Sequence, residues 1–293
     1  MSAEPALRTE RPSARPAPRA RGQANVFQVV KVIWIREVLI YVRDRARLVA
    51  AFAMPIVMLV IFGEGLGKSI GGLPGGVDYR QFIFPGMLAM TVLMTSVMSG
   101  ISIVTDRQFG FLREILVAPV SRTAIAIGKI GGGATIALSQ GVVMFVFAPL
   151  LGVELSVVTV LKLVPLIALL AITLTSAGVA LGARLRSVES FQMISQMAIM
   201  PTMFLSGIFF PINNVPAWMN VLVKINPVTY AVAPVRAIAL EGSLGSATGG
   251  AAFQVAQVQA FGHTFSTTED VLVLAAFAVL MVFLAVRGLQ RSD

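Results

Sequence analysis

The sequence predicts an all-α polytopic membrane protein: six transmembrane helices, an N-terminal interfacial helix, and a re-entrant outer helical hairpin between spans five and six. Three observations predict it. Of the 293 residues, 56% are apolar and only 13% charged, with a mean hydropathy of +0.84, whereas soluble domains carry about 25% charged residues. The apolar residues gather into six runs approaching the roughly 20 residues that a helix needs to cross about 30 Å of hydrocarbon. The runs lack the alternation over about ten residues that barrel strands would show.

Residues 1–24 are rich in Pro, Ala and Arg and have no apolar periodicity. They cannot bury enough surface to offset the entropy of ordering, so a disordered basic arm is expected. Neither a secretory signal nor a mitochondrial presequence fits this pattern. Residues 25–293 read as one transmembrane domain. In 25–47, Phe27, Val30, Trp34, Val38 and Tyr41 recur at helix spacing on one stripe, with Arg43, Arg45 and Arg47 at the end. This suits a helix lying in the cytoplasmic interface. A helix facing water and an extension of the first span are the alternatives.

The spans are expected at about 48–63, 82–105, 128–151, 157–181, 191–210 and 268–287, with a cytoplasmic loop at 106–122 after the second. Region 211–240 is too broken by Pro216, Pro227 and Pro234 to cross independently. It suits short helices that dip into the outer leaflet and return, provided that protein satisfies the interrupted backbone. With the N-terminus inside, 18 of the 23 Lys and Arg fall on the cytoplasmic side, leaving Lys68, Arg80, Lys162, Lys224 and Arg236 outside. That is the bias cytoplasmic flanks show, and it accounts for the net charge of +9. An even span count places both termini in the cytoplasm of a cell bounded by this membrane.

The cores of the six runs contain no Asp, Glu, His, Lys or Arg; Lys129 and Lys162 stand at their edges. Proton- or sodium-coupled transport usually places such a group within the bilayer, so ion coupling is disfavoured. The stretch Gly63–Ser69 resembles a phosphate-binding loop, but Phe62 stands where its first glycine belongs and no strand precedes it. It reads as a flexible hairpin loop. There is no cysteine, which excludes disulfides and thiolate chemistry. No nucleophile, base and oxyanion constellation assembles, so the chain is not expected to be an enzyme or to hold a cofactor or metal. Active transport would therefore draw its energy from a partner.

The segment Asp106–Arg122 carries charges of both signs and the aromatic pair Phe109 and Phe111. It suits a short helix, ended before Pro119, that docks on a partner, or an ordinary basic loop that sets topology. Gly128 and Gly132 have the spacing that lets helices approach closely. The methionines Met90, Met94, Met197 and Met200 offer an adaptable apolar surface for a substrate path, or plain core packing. His263 reads as solvated.

Further motifs carry a family resemblance. Ser206-Gly207 with Pro211, Pro216 with Trp218, Asn226-Pro227-Val228-Thr229-Tyr230 and the following Arg236 stand in order, and the loop holds Arg113-Glu114 and Val117-Ala118-Pro119-Val120-Ser121-Arg122. Together they resemble the membrane subunit of type-2 ATP-binding-cassette exporters, especially antibiotic-resistance permeases of the daunorubicin type. Arg113 before the acid, and Gln108-Phe109 where many relatives carry Arg-Glu, depart from that pattern. The resemblance covers residues 25–290. It implies a coupling helix at 106–116, in which Arg107, Phe109, Phe111, Arg113 and Glu114 contact the ATPase. It also implies the re-entrant hairpin, a second permease chain, and ATPase subunits that hold ATP and Mg. The expected function is ATP-driven export of an amphipathic small molecule, drug or lipid across a bacterial inner membrane, with no nucleic acid involved. A permease for a lipid-linked glycan, or an ATPase-independent channel or scaffold, are the alternatives.

Overall fold

A computed structural model of the chain describes residues 25–66, 78–110, 121–210, 212, 215–240, 259–260 and 263–291. The arm at 1–24, Phe111, Arg113, Glu114 and Pro211 lie outside the described residues. Helix follows helix: α1 (Val26–Arg43), α2 (Arg45–Val60, ending in a π-helical turn at Ile61–Leu66), α3 (Tyr79–Ser99), α4 (Ile101–Gln108), α5 (Arg122–Met144, with a 3-10 tail to Leu151), α6 (Val157–Arg184), α7 (Val188–Phe204), α8 (Ala217–Ile225), α9 (Thr229–Leu240) and α10 (Thr267–Arg291). A two-residue antiparallel pairing of Gln259–Ala260 with His263–Thr264 is the one ladder among the described residues.

Local sequence sets the helix starts. The side chains of Asp78, Ser121, Ser156 and Ser187 accept hydrogen bonds from backbone N–H groups of the first turns of α3, α5, α6 and α7. Such caps satisfy donors that a helix leaves open at its N-terminus. At α10 the bond is reciprocal: the Glu269 amide donates to Ser266 Oγ and the Ser266 amide to Glu269 Oε2.

Four units are long and apolar enough to cross a membrane: α3 with α4, α5 with its tail, α6 and α10. The bent pairs α1 with α2 and α8 with α9 raise the number to six if each is one span. The run expected as the fifth span, 191–210, is helical only to Phe204; α7 has 17 residues and is about 26 Å long. Beyond it the chain turns, with Gly207 at φ +79, a left-handed conformation that favours glycine.

The 30 residues of α3 and α4 make a rod of about 45 Å, half as long again as the hydrocarbon is thick. Two cores stack along it. The larger one joins α3, α5, α6 and α9 around Phe82, Met87, Leu93, Leu163, Leu170 and Val232. The smaller one, at the end where the arginines collect, joins Ile33 of α1, Ile103 of α4, Ile125 and Ile130 of α5, Val179 of α6, and Ala285 and Leu289 of α10. The most extensive helix pairing is α10 on α6, followed by α1 on α5.

The α1 helix packs lengthwise against the first half of α5, with Ile33 facing Gly128 and Glu37 facing Gly132. A Cβ at Gly128 would come within 2.8 Å of Ile33 Cβ, and one at Gly132 within 2.6 Å of Glu37 Cβ. Those two glycines, read as a close-approach pair, receive this helix. The face that α1 buries is not the full expected stripe: Ile33 and Tyr41 are buried, whereas Phe27 is exposed. Glu37 and Tyr41 follow Ile33 at four-residue steps, so the packed face is rotated toward the side that carries charge.

Candidate functional site

The rod of α3 and α4 ends at the base of the bundle in Asp106 and Arg107, and both side chains point inward. Arg36 of α1 donates to Asp106 Oδ1. Lys129 of α5, only 2% exposed, places its Nζ 2.7 Å from Asp106 Oδ2, 2.9 Å from Glu37 Oε1 and 3.0 Å from Ser102 Oγ. Two cations and two carboxylates thus close a neutral network across α1, α4 and α5. Burying either charge type alone would be costly, and the pairing makes the burial tolerable. Trp34 Nε1 donates to Thr135 Oγ1 at 2.9 Å, and a chain from Thr95 through Gln140 to Tyr41 ties α3, α5 and α1 further along.

Arg107 takes a different partner. Its guanidinium donates to the carbonyls of Leu185 at 2.8 Å and Ala183 at 2.9 Å, covering acceptors that α6 leaves open at its C-terminus. Phe109, two residues later, is 82% exposed. Phe109 thus stands next to side chains that are tied to α1, α5 and α6 by polar contacts.

At the other end of the rod, α8 and α9 cross at 81°. Asn226 stands at the apex of this hairpin: its Nδ2 donates to Thr202 O at 2.7 Å, and its Oδ1 accepts from Val228 N at 3.0 Å. Thr229 Oγ1 donates weakly to Leu205 O at 3.3 Å and Tyr230 OH to Lys224 O at 2.8 Å, while Ser206 Oγ donates to Met203 O at 2.8 Å. Arg236 is buried, donates to Gly207 O at 2.7 Å, and stacks 3.7 Å over the Phe82 ring. Most of the motif's polar residues therefore act on backbone carbonyls, which suits a broken backbone held in an apolar setting. Pro216 starts α8 and Pro227 breaks the chain between α8 and α9, while Trp218 stands exposed on α8.

Among the described residues no carboxylate pairs with Arg236. Arg236→Met therefore removes carbonyl contacts and a buried charge together, and its expected effect is local. Backbone amides in 217–240 should exchange with deuterium at least about tenfold faster, in line with losing a charged hydrogen bond of about 1.5–3 kcal/mol. Unchanged exchange in that segment would remove Arg236 as its anchor.

The four methionines do not share one surface within the protomer. Met90 is 1% exposed inside the larger core and Met94 is half-buried, whereas Met197 is 78% exposed and Met200 also faces outward on α7. Sequence reasoning missed Glu37, Asp106 and Lys129 as a unit. The available signal was a lysine next to a glycine-rich run, where a helix can approach closely enough to bring it a partner.

A family model described as ABC-2 type transporter matches residues 28–240. The chain is 27% identical to the putative transport permease ycf38 of Cyanophora paradoxa over 217 residues, covering 72% of this chain and 73% of that protein. It is 24% identical to the inner membrane transport permease YadH of Escherichia coli (strain K12) over 257 residues, 87% of this chain and 90% of the other. Nodulation protein J of Rhizobium meliloti (strain 1021) is 29% identical over 215 residues, 72% and 81% of the two chains. The matched region takes in the charged base, the rod and the carbonyl-clamped hairpin, and the chain belongs to the ABC-2 type transporter family.

Proposed function

We propose that the chain is the permease subunit of an ATP-driven exporter, moving an amphipathic small molecule, drug or lipid outward, with separate ATPase subunits and a second permease chain. The observation that carries this reading is the anchored root of the 106–122 loop. An exposed Phe109 stands three residues from Asp106, whose network reaches α1 and α5, and two residues from Arg107, which holds α6. Mechanical work delivered at the loop has fixed contacts through which to move the bundle.

The 18-to-5 distribution of basic residues supports a cytoplasmic base, and the likeness to a protein named as an inner membrane permease supports the same compartment. The rod's length supports a topology in which its lower turns leave the hydrocarbon. The smaller core and α1 would then sit at headgroup depth, with α1 as the interfacial helix. Its outward side, with Val32, Leu39, Ile40 and Val42 exposed, suits contact with lipid. Six spans follow if α2 and α7 each cross with their flanking turns and the α8–α9 hairpin dips into the outer leaflet without crossing.

Affinity purification from mild detergent tests the assignment by what accompanies the chain. An ATPase subunit is expected. Truncating an exposed aromatic anchor typically weakens an interface by about 2 kcal/mol or more, so Phe109→Ala should reduce recovery of that subunit at least about tenfold. Charge reversal of Arg113 with Glu114 should uncouple ATP hydrolysis from transport. Substrate-stimulated ATP hydrolysis by the isolated chain, or full recovery and full transport with both variants, would overturn the proposal.

A further inference from the structure

Five arginines face one cavity at the base of the bundle: Arg107 from α4, Arg184 from the last turn of α6, Arg186 two residues beyond it, and Arg287 and Arg291 from α10. The cavity is about 840 Å³, the size of a small-molecule pocket rather than a niche for one ion. Among the described residues no acidic side chain lines it, and no carboxylate pairs with Arg184, Arg186, Arg287 or Arg291. The neighbouring network around Lys129 is charge-balanced, whereas the described lining of this cavity is not. Arg107 uses its guanidinium on α6, but the other four arginines are exposed at the rim.

Helix ends favour a cation in the last turn, and that effect alone accounts for Arg184 and Arg291. It does not account for five guanidinium groups brought round a common space by α4, α6 and α10. The floor supplies a second observation: Ala183, Leu284 and Gly288 form an apolar wall. On α10, Val279 and Phe283 precede Arg287 and Arg291 at four-residue steps, which puts all four on one stripe. Val279 and Phe283 are exposed, and the Arg287 guanidinium lies 5.7 Å from the Phe283 ring. The stripe is thus apolar toward the middle of the bundle and cationic at its end, the polarity of a phospholipid with its acyl chains along α10 and its phosphate among the arginines.

We propose that this cavity is a binding site for the phosphodiester headgroup of an anionic phospholipid, with the acyl chains lying against Val279 and Phe283. A basic pocket between helices at the cytoplasmic side is the chemistry that recognises such headgroups, and guanidinium forks match phosphate oxygens bidentately. Free phosphate offers the same oxygens but no use for the apolar stripe, and an acidic protein segment would leave that stripe bare. The site rests on the orientation proposed above only for the leaflet concerned. Because Arg184 and Arg291 stand in the last turns of α6 and α10, an occupied site would also bridge those helices where Arg107 already holds α6.

The test is native mass spectrometry of the full chain released from mild detergent, titrated with cardiolipin, phosphatidylglycerol, phosphatidylcholine or inorganic phosphate. Detergent presents every face, so the result is independent of membrane orientation. The two anionic lipids should be retained and phosphatidylcholine lost. Neutralising an arginine should weaken retention about fivefold, so R186Q/R287Q/R291Q should lose it nearly completely, while the matching lysine triple, which keeps the charge but not the bidentate fork, should fall between it and the wild type. V279S/F283S should weaken lipid retention at least about threefold without creating phosphate binding. Equal retention of phosphatidylcholine, wild-type binding by the glutamine triple, or displacement of lipid by millimolar phosphate would overturn the site. Loss of the ATPase subunit from the glutamine triple with lipid retention intact would overturn it in favour of a protein partner.

Discussion

Lys129→Met is expected to destabilise the chain by about 3–5 kcal/mol, the usual consequence of removing one partner from a buried ion pair. The ammonium is 2.7 Å from one carboxylate and 2.9 Å from another, so its loss leaves Asp106 and Glu37 facing each other in a part-buried space, with Arg36 the remaining cation on Asp106 among the described residues. A methionine fills similar volume, so the effect reports charge rather than a cavity. The thermal midpoint in mild detergent should fall, and amides of α1 should exchange faster than those of α3. The companion variant K129M/E37Q should recover most of the loss, because it leaves Asp106 paired with Arg36 and no uncompensated carboxylate beside it. A wild-type midpoint for the single variant, or a companion no better than it, would show that the network does not hold α1 to the base.

Four of the expected runs were legible as helices long and apolar enough to cross a membrane, because length and apolarity depend on each segment alone. The closing helices Val157–Arg184 and Thr267–Arg291 match the expected 157–181 and 268–287 closely. Gly128 and Gly132 were also legible as a contact, since their spacing restricts what can pack there. Their partner was not: Ile33 and Glu37 are about a hundred residues away in sequence, and no local pattern identifies them. Lys129 read as an edge charge for the same reason, because its partners come from α1 and from the end of α4. The α1 stripe predicted a helix, but periodicity does not decide whether Phe27 or Ile33 meets the bundle. Arg107 was expected, from the resemblance, to contact the ATPase, and its hydrogen bonds to Ala183 and Leu185 depend on where α6 ends. The polar residues of the 206–236 motif were visible as residues, while their shared work on backbone carbonyls emerges only once α7, α8 and α9 meet.

Gly178→Ala is expected to disturb both ends of the molecule at once, because α6 and the rod cross with backbone on backbone. A Cβ at Gly178 would stand 2.4 Å from Val97 O, one at Gly182 would stand 2.5 Å from Gly100 O, and one at Gly100 would stand 2.1 Å from Gly178 O. No rotamer change relieves a clash with a carbonyl oxygen, so the helices must separate, at a cost of about 1–3 kcal/mol or more. Separation matters beyond stability. The same rod carries Phe82 beneath Arg236 near one end and Asp106 against Lys129 at the other, so a change in its seating alters the hairpin clamp and the charged base together. In the ATP-driven complex proposed above, transport per ATP hydrolysed should therefore drop several-fold in Gly178→Ala, alongside a lower thermal midpoint. Gly131→Ala is the control: its Cβ would meet Trp34 Cδ1 at 3.5 Å, an ordinary contact, and alanine favours helix over glycine by about 1 kcal/mol. That variant should be as stable as the wild type or slightly more so, with unchanged coupling. If both variants behave alike, the crossing is not what seats the rod, and the 106–122 loop and the hairpin must be linked by another element.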